Sequence, residues 1–480
     1  MKYLMSRLIL VTVVFGWLQQ NLFAVTCDNW TYVETTTSSK NGQTSGSGYV
    51  TDKNEIWKFV ATRALGTRNL TLSGIGGATF TDPGEKTALN FTKITDAENN
   101  EYAAVALKDL LSHSGSGTQP DIIAHCGKVT EIIAPNCTSI TGEGSFRSCT
   151  SLTNAVFAEG LTISNGRTFQ DCTALVDFTP RKFNTLNYSV FESCTSLKGT
   201  FLLSEAKILS SKMFLNCSSL EEVLAPQATT IDEYVFSGCS SITNIVLGSP
   251  VTSINRAAFE KCPKLKTEFV QSLLTSSLTT LWKYEPNSTV HHKGLVFNGC
   301  SGLEGDLVWN LKNLTTNVVP QEIFMNCNNL SSITFKTPIS KFYEKVFYFD
   351  SSPSRLHVYM HAEVPVSYGQ RAVMSAQAPF PKVYLKDNFD EWLAVMEKNN
   401  DDLIRKEAFN DSSKYSDINK VKDWATITNC MAKDTAMCTK VNGVVDVKDK
   451  YVIGFMMYDN AKGGCWILKK PKDGLRVIVR

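Results

Sequence analysis

The apolar positions in the middle of the chain fall into one recurring pattern, Phe-x-x-Cys-x-x-Leu followed by a short alternation of apolar and polar residues. Copies open at Phe146, Phe169, Phe191, Phe214, Phe236, Phe259, Phe297 and Phe324, each with a cysteine three residues on. Ile123/Cys126/Val129 is a variant first copy, and Phe347 opens a decayed last one with Asp350 in the cysteine place. Successive first positions are 22 or 23 residues apart, except for steps of 38 (Phe259 to Phe297) and 27 (Phe297 to Phe324). A period of this length is the signature of stacked structural repeats.

The pattern also predicts the elements of one repeat. In Leu220-Glu-Glu-Val223-Leu-Ala225 and Ile242-Thr-Asn-Ile245-Val-Leu247, the residues three and five places after the ladder Leu (or Ile) share one face of a strand and should point inward. Four residues before most Phe positions stand Gly142, Asn165, Asn187, Asp232 or Asn255, types that tolerate a left-handed turn. One short helical turn should then carry Phe and Cys on one face. Each coil therefore reads as strand, turn, short helix, turn, and a unit this small buries its apolar face only by stacking on its neighbours.

The extended pattern Leu-x-x-Ile-x-Leu-x-x-x-x-x-x-Ile-x-x-x-x-Phe-x-x-Cys resembles the BspA-like class of leucine-rich repeats, found in secreted and surface proteins of bacteria and some protists. The resemblance covers about 123 to 356, roughly half the chain. Family members usually have Gly after the second Ile and Ala before Phe; here Asn255 and Asp232 replace the former and only Ala258 keeps the latter. The resemblance implies a leucine-rich repeat solenoid of short parallel strands joined by short helical turns.

The flanks read differently. Lys2 and Arg7 precede an apolar run from Leu8 to Leu18 with small residues near Ala24, the layout of a secretory signal over 1–24. That run falls short of the ~20 residues a membrane span needs, and none of its length follows. Cys27 lacks the flanking residues of a lipid-anchored cysteine. Residues 25–110 alternate Ser/Thr/Gly clusters with stretches such as Ile56-Trp57-Lys-Phe59, a β-rich cap for the open edge of the array at 111–360. Residues 361–409 are expected to hold a last strand at Lys382 to Leu385 and a capping helix opened by Asn388 and Glu391. Asn442-Gly443, Gly463-Gly464 and Asp473-Gly474 each precede an apolar run, so 410–480 reads as a small antiparallel β module.

Composition and charge narrow the chemistry. The 48 Lys and Arg nearly balance 46 Asp and Glu in 480 residues, with no long run of either sign, so no nucleic-acid footprint is expected. Nine of the fourteen cysteines stand in the ladder, and Cys137 takes a small core position. Stacked coils hold such side chains parallel, which favours buried thiols over bridges. Cys430 with Cys438 is the candidate disulfide, with Cys465 the other candidate partner. There is no Walker loop, no paired C-x-x-C and no third glycine after Gly74-x-Gly76. His357 and His361 have the i, i+4 spacing of a helical zinc site, but the sequence around them reads as strand, which puts them ~13 Å apart. No cofactor and no metal are expected. Paired carboxylates of a hydrolase depend on separation in space, which the sequence leaves open.

Two candidate binding surfaces follow. If the residues at plus three and plus five after each ladder Leu face inward, those at plus two and plus four face outward. The plus-two row is polar or small. The plus-four row contains Val156, Phe201, Leu224, Val246, Phe269 and Leu307 among two threonines, and would form one apolar stripe. The second candidate is the surplus in the 38-residue step, with Trp282, Tyr284, His291 and His292 as aromatic anchors on a loop. The expected function is a secreted or surface-exposed repeat protein that binds a protein or glycan partner in adhesion or recognition, without catalysis. A self-associating surface-layer component is the main alternative, and a secreted carboxylate hydrolase the lesser one.

Overall fold

A computed structural model describes residues 25–111 and 126–360, apart from 28, 41–42, 56, 75–78, 81–86, 181, 249, 283–293, 316, 338, 340, 344 and 350–355, and beyond 360 the backbone of a set of short strands. The chain divides into two compact units. The first runs to Ala206 and includes Asn216–Leu220; the second takes Lys207–Leu215 and the chain from Glu221 onward.

In the first unit, strands Val129–Ala134, Asn154–Phe157 and Asp177–Thr179 lie parallel and in register, with Ile132, Ala155 and Phe178 buried beneath them. A second parallel ladder joins Ser139–Thr141, Leu161–Ile163 and Phe183–Thr185. The second unit repeats both ladders. Glu222–Ala225 pairs with Asn244–Leu247, while Ile208–Leu209, Thr230–Ile231, Ser253–Ile254 and Thr280–Leu281 form the other ladder.

The Phe-x-x-Cys-x-x-Leu segment is where the structure departs from expectation. It forms two successive tight turns rather than a helical turn: the Cys149 N–H donates to the Phe146 carbonyl at 3.3 Å, and the Leu152 N–H to the Cys149 carbonyl at 3.0 Å. Left-handed residues stand two places before each Phe (Gly144, Arg167, Ser189) and directly before each Cys (Ser148, Asp171, Ser193), with φ between 52° and 65°. For non-glycine residues this conformation costs roughly 1–2 kcal/mol each. It is offset because alternate N–H groups then point at the next coil: Phe146 to the Thr168 carbonyl (2.8 Å) and Ser148 to that of Gln170 (2.7 Å). Of the expected left-handed positions, Gly142 takes that conformation (φ 90°). Asn165 and Asn187 instead bond a neighbouring coil through their side chains, Asn165 Oδ1 accepting the Gly142 N–H and Asn187 Nδ2 donating to the Ser164 carbonyl. In the second unit Asn255 Nδ2 donates to Asp232 Oδ1.

Beneath these turns the phenylalanines stack. Phe146, Phe169 and Phe191 lie 5.1 and 5.8 Å apart in the first unit, and Phe214, Phe236, Phe259, Phe297, Phe324 and Phe347 continue at 5.5 to 5.9 Å in the second. Near-parallel rings at this spacing are the offset stacking that aromatic quadrupoles favour.

One end of each unit carries further strands. Antiparallel strands Trp30–Lys40, Gln43–Asp52, Trp57–Ala64 and Asn69–Ser73 lead into Glu101–Lys108, which pairs in parallel with Ser139–Thr141. Trp30, Trp57, Phe59 and Phe91 form its aromatic core, and the Trp30 indole donates to the carbonyls of Cys27 and Asn90. At the far end of the second unit, Leu330–Phe335, His357–Met360, Lys382–Leu385 and Gly464–Lys469 run parallel, and Val452–Met457 folds back antiparallel on the last. Cys438–Val441 and Val444–Val447 form a hairpin across Asn442-Gly443. The expected signal, the capping helix opened by Asn388, Cys430 and the Asp473-Gly474 turn lie outside the described residues.

Candidate interaction surface

The outward face of the strands follows from their pairing. In the first unit Ile133, Val156 and Thr179 stand in register. Val156 is half-buried and Thr179 exposed. Beside them runs a polar row, Glu131, Asn154 and Asp177. In the second unit Leu224 is in register with Val246, which is 41% exposed. Its polar row is Glu222 and Asn244, joined by a hydrogen bond from Asn244 Nδ2 to Glu222 Oε1. Further along the same unit Val308, Thr334 and Tyr359 are in register next to Asp306, Ser332 and His357. In each unit the outward face therefore carries a row that is apolar at Ile133, Val156, Leu224, Val246 and Val308, beside a polar row that includes the carboxylates of Glu131, Asp177, Glu222 and Asp306.

Four of the expected site residues sit elsewhere. Phe201 and Leu307, expected on the outward row, are fully buried at 0% exposure, and Leu203 and Trp309 two places on are buried with them. The cause is a glycine two residues after the ladder Leu: Gly199 and Gly305 adopt φ 87° and 74°, a conformation nearly free for glycine. Each inserts one residue before the strand, and since the side-chain period is two, one residue flips every later side chain. The register shows the shift directly, because Leu307 pairs with Ile333 and Val308 takes the outward place beside Thr334. In the coil of Phe201 the outward positions are Thr200 and Leu202.

Phe269 lies on a helix, Thr267–Leu273, rather than on a strand. Thr267, Val270 and Leu273 form its buried side, and Phe269 packs edge-on against Phe259 at 5.6 Å. The helix stands where a strand is due, and its side chains replace the lost ladder on one side. Gln271 Nε2 donates to the Val308 carbonyl (3.1 Å) while its Oε1 accepts the Val308 N–H (2.8 Å). The Thr267 hydroxyl donates to the Glu304 carbonyl and accepts its N–H. On the other side, a cavity of about 350 Å³ separates the helix from strand Asn244–Leu247, lined by Ile245, Leu247, Val251, Phe269, Leu273 and Thr275 among others.

Trp282, expected on an exposed loop, is 4% exposed, with φ 70° and its ring edge-on to Tyr343 at 5.5 Å. Leu278 and Leu281 are buried with it, and Thr280–Leu281 is a ladder strand. The early part of the long step is thus core. Tyr284, His291 and His292 lie outside the described residues.

The cysteine ladder does more than fill space. From Cys172 onward each ladder thiol donates to the carbonyl of the Phe one coil back: Cys172 to Phe146, Cys194 to Phe169 and Cys217 to Phe191 in the first unit, at 2.9 to 3.1 Å. In the second, Cys239, Cys262, Cys300 and Cys327 donate to Phe214, Phe236, Phe259 and Phe297 at 3.0 to 3.1 Å. The Phe146 carbonyl so receives two donors, the N–H of its own coil and the thiol of the next. Burial, then the neighbouring ladder thiols, push Cys149, Cys194 and Cys262 well above the ordinary thiol value, and burial pushes Cys300 up to about 12. Protonated buried thiols are neither nucleophiles nor metal ligands at neutral pH. Among the described residues no group of His, Cys, Asp or Glu is placed to hold a metal, and no helix is long and apolar enough to cross a membrane.

The model of the BspA type leucine rich repeat region matches residues 117–241, 179–289 and 285–360, together spanning 117–360, just over half of the 480 residues. The chain belongs to the BspA-type leucine-rich repeat family. No curated protein matches it. Among solved structures, this BspA-type chain is similar to a leucine-rich repeat protein from Bacteroides ovatus at 16% identity, over 71% of this chain and 97% of that one, with a TM-score of 0.38. A leucine rich cell surface protein from Faecalibacterium prausnitzii aligns at 14% identity over 68% and 96%, with a TM-score of 0.30. The pneumococcal vaccine antigen PcpA aligns at 13% over 68% and 94%, with a TM-score of 0.27.

Proposed function

We propose that this BspA-type repeat protein acts outside the cell, binding a protein or glycan partner on the outward face of its strands without chemical turnover. The observation that supports the reading is the pair of in-register rows, apolar beside polar, at Ile133/Val156 and Leu224/Val246, with Val246 left 41% exposed. Aligned apolar side chains on a solvated sheet face are what an interaction surface presents, and the flanking carboxylates and amides supply directional contacts. The signal-like segment over 1–24 supports export. The ladder cysteines, as buried thiols, supply structure rather than reactivity.

The test is to immobilise the exported chain, present arrays of extracellular proteins and glycans, and examine what is retained. The reading expects a ligand released with its mass unchanged. A chemically altered ligand would establish an enzyme instead. A chain whose mass in solution grows with concentration while it retains no ligand would establish a self-associating component.

A further inference from the structure

We propose that the cavity beside strand Asn244–Leu247 receives a short extended peptide segment of a partner protein, which joins the sheet in the place the helix Thr267–Leu273 has taken. This goes beyond the binding face proposed above, because it uses the edge of a strand rather than its outward side chains.

In parallel strands alternate residues direct their backbone groups to opposite neighbours. Asn244 donates its N–H to the Glu221 carbonyl (3.3 Å), and the register with Glu222–Ala225 continues from there. Asn244 and Val246 therefore face the preceding coil, and Ile245 and Leu247 direct their N–H and C=O groups to the opposite side. Strand Asn244–Leu247 ends its sheet on that side among the described residues. What lies there is the cavity of about 350 Å³, which Ile245 and Leu247 both line, an order of magnitude more than the ~30 Å³ share of one water.

The helix treats its two neighbours unequally. Thr267 and Gln271 pair with the backbone of Glu304 and Val308 in the following coil. Towards Asn244–Leu247 it presents Phe269, Leu273 and Ser272, and the Ser272 hydroxyl turns back onto the Phe269 carbonyl (2.7 Å). A small apolar molecule would leave the backbone groups of Ile245 and Leu247 unmatched and desolvated, which is unfavourable. An extended peptide supplies donor and acceptor at alternate residues, and its side chains reach the apolar wall made by Phe269 and Leu273.

Amide hydrogen exchange on the full chain tests this with an internal control. Without peptide, the Ile245 and Leu247 amides should exchange faster than those of Asn244 and Val246. A blocked peptide of sequence 242–248, which already pairs in this register within the chain, should at saturation slow Ile245 and Leu247 by about tenfold or more and leave the control amides unchanged. The same peptide N-methylated at alternate residues should do nothing. Ser272→Phe, which puts a ring into the cavity against the strand edge, should abolish the peptide effect while Asn244 and Val246 stay protected. Thr275→Phe, beyond the helix, serves where Ser272→Phe disturbs folding. Equal protection of all four amides without peptide, no slowing with it, or equal slowing by the N-methylated peptide would each overturn the proposal. So would slowing produced by raising the concentration of the chain alone, which would make a second copy the occupant.

Discussion

At the scale of single residues, the cysteine is the position whose role pattern and structure explain differently. Its recurrence predicts burial, but the hydrogen bond it donates runs to a Phe 25 or 26 residues earlier in the regular coils, as from Cys172 and Cys194. A partner one coil away leaves no mark in the local sequence. Cys194→Val keeps the volume and removes the donor, and the Phe169 carbonyl still accepts the Cys172 N–H of its own coil. The expected loss, read from urea denaturation, is therefore near the lower end for a buried hydrogen bond, about 1 kcal/mol. No loss would mean that the thiol only packs. The raised thiols also set a pH dependence. A group whose value is raised on folding contributes its stability in full below the ordinary value of 9.0 and loses it as pH rises towards the folded value, about 12 for Cys300. Thiolate absorbance should consequently appear only together with unfolding as pH rises through that window. Thiolate formed in a still-folded chain would contradict the burial of the ladder.

At the scale of elements, most of a coil was legible and its exceptions were not. Phe146, Cys149 and Leu152 mark the turns, and the plus-three and plus-five rule places Ala155, Phe157, Val223 and Ala225 inside, where they are. The same rule fails at Phe201 and Leu307, because a left-handed glycine adds one residue without changing the apolar alternation after it. Gly199 and Gly305 were visible in the plus-two row as small residues; what marks them is that glycine is the one type there which takes positive φ without strain. A methyl group at Gly305 would meet nothing within 4 Å, so Gly305→Ala isolates the backbone cost. The expected destabilisation is about 1–2 kcal/mol; an unchanged midpoint would show that the insertion does not depend on that conformation. Helix Thr267–Leu273 was readable in principle from Thr267, Val270 and Leu273 at intervals of three, yet the coil period places a strand there and the short segment satisfies both patterns. Deleting 275–289 removes Leu278, Leu281 and Trp282 from the core, and should abolish cooperative unfolding of the coils around it rather than trim a loop. A deletion product with the parent's transition would return the segment to the surface.

For the whole molecule, the period of 22 or 23 residues gives each unit a stack whose coils share three sets of bonds: two strand ladders and the turns that carry Phe and Cys. Such redundancy lets the outward face vary while the fold persists, since neither Val246 nor Leu224 is among the buried core residues. It is also why the sequence identifies the family and leaves the partner open. The repeat is dictated by buried positions, and recognition rests on the exposed ones that packing does not constrain. The most direct measurement is a binding titration of the retained partner with the parent chain and with the Leu224→Thr, Val246→Thr double variant, each checked by urea denaturation. The account predicts stability within about 1 kcal/mol of the parent and at least a tenfold weaker affinity. Parent-like affinity in a folded double variant would contradict it.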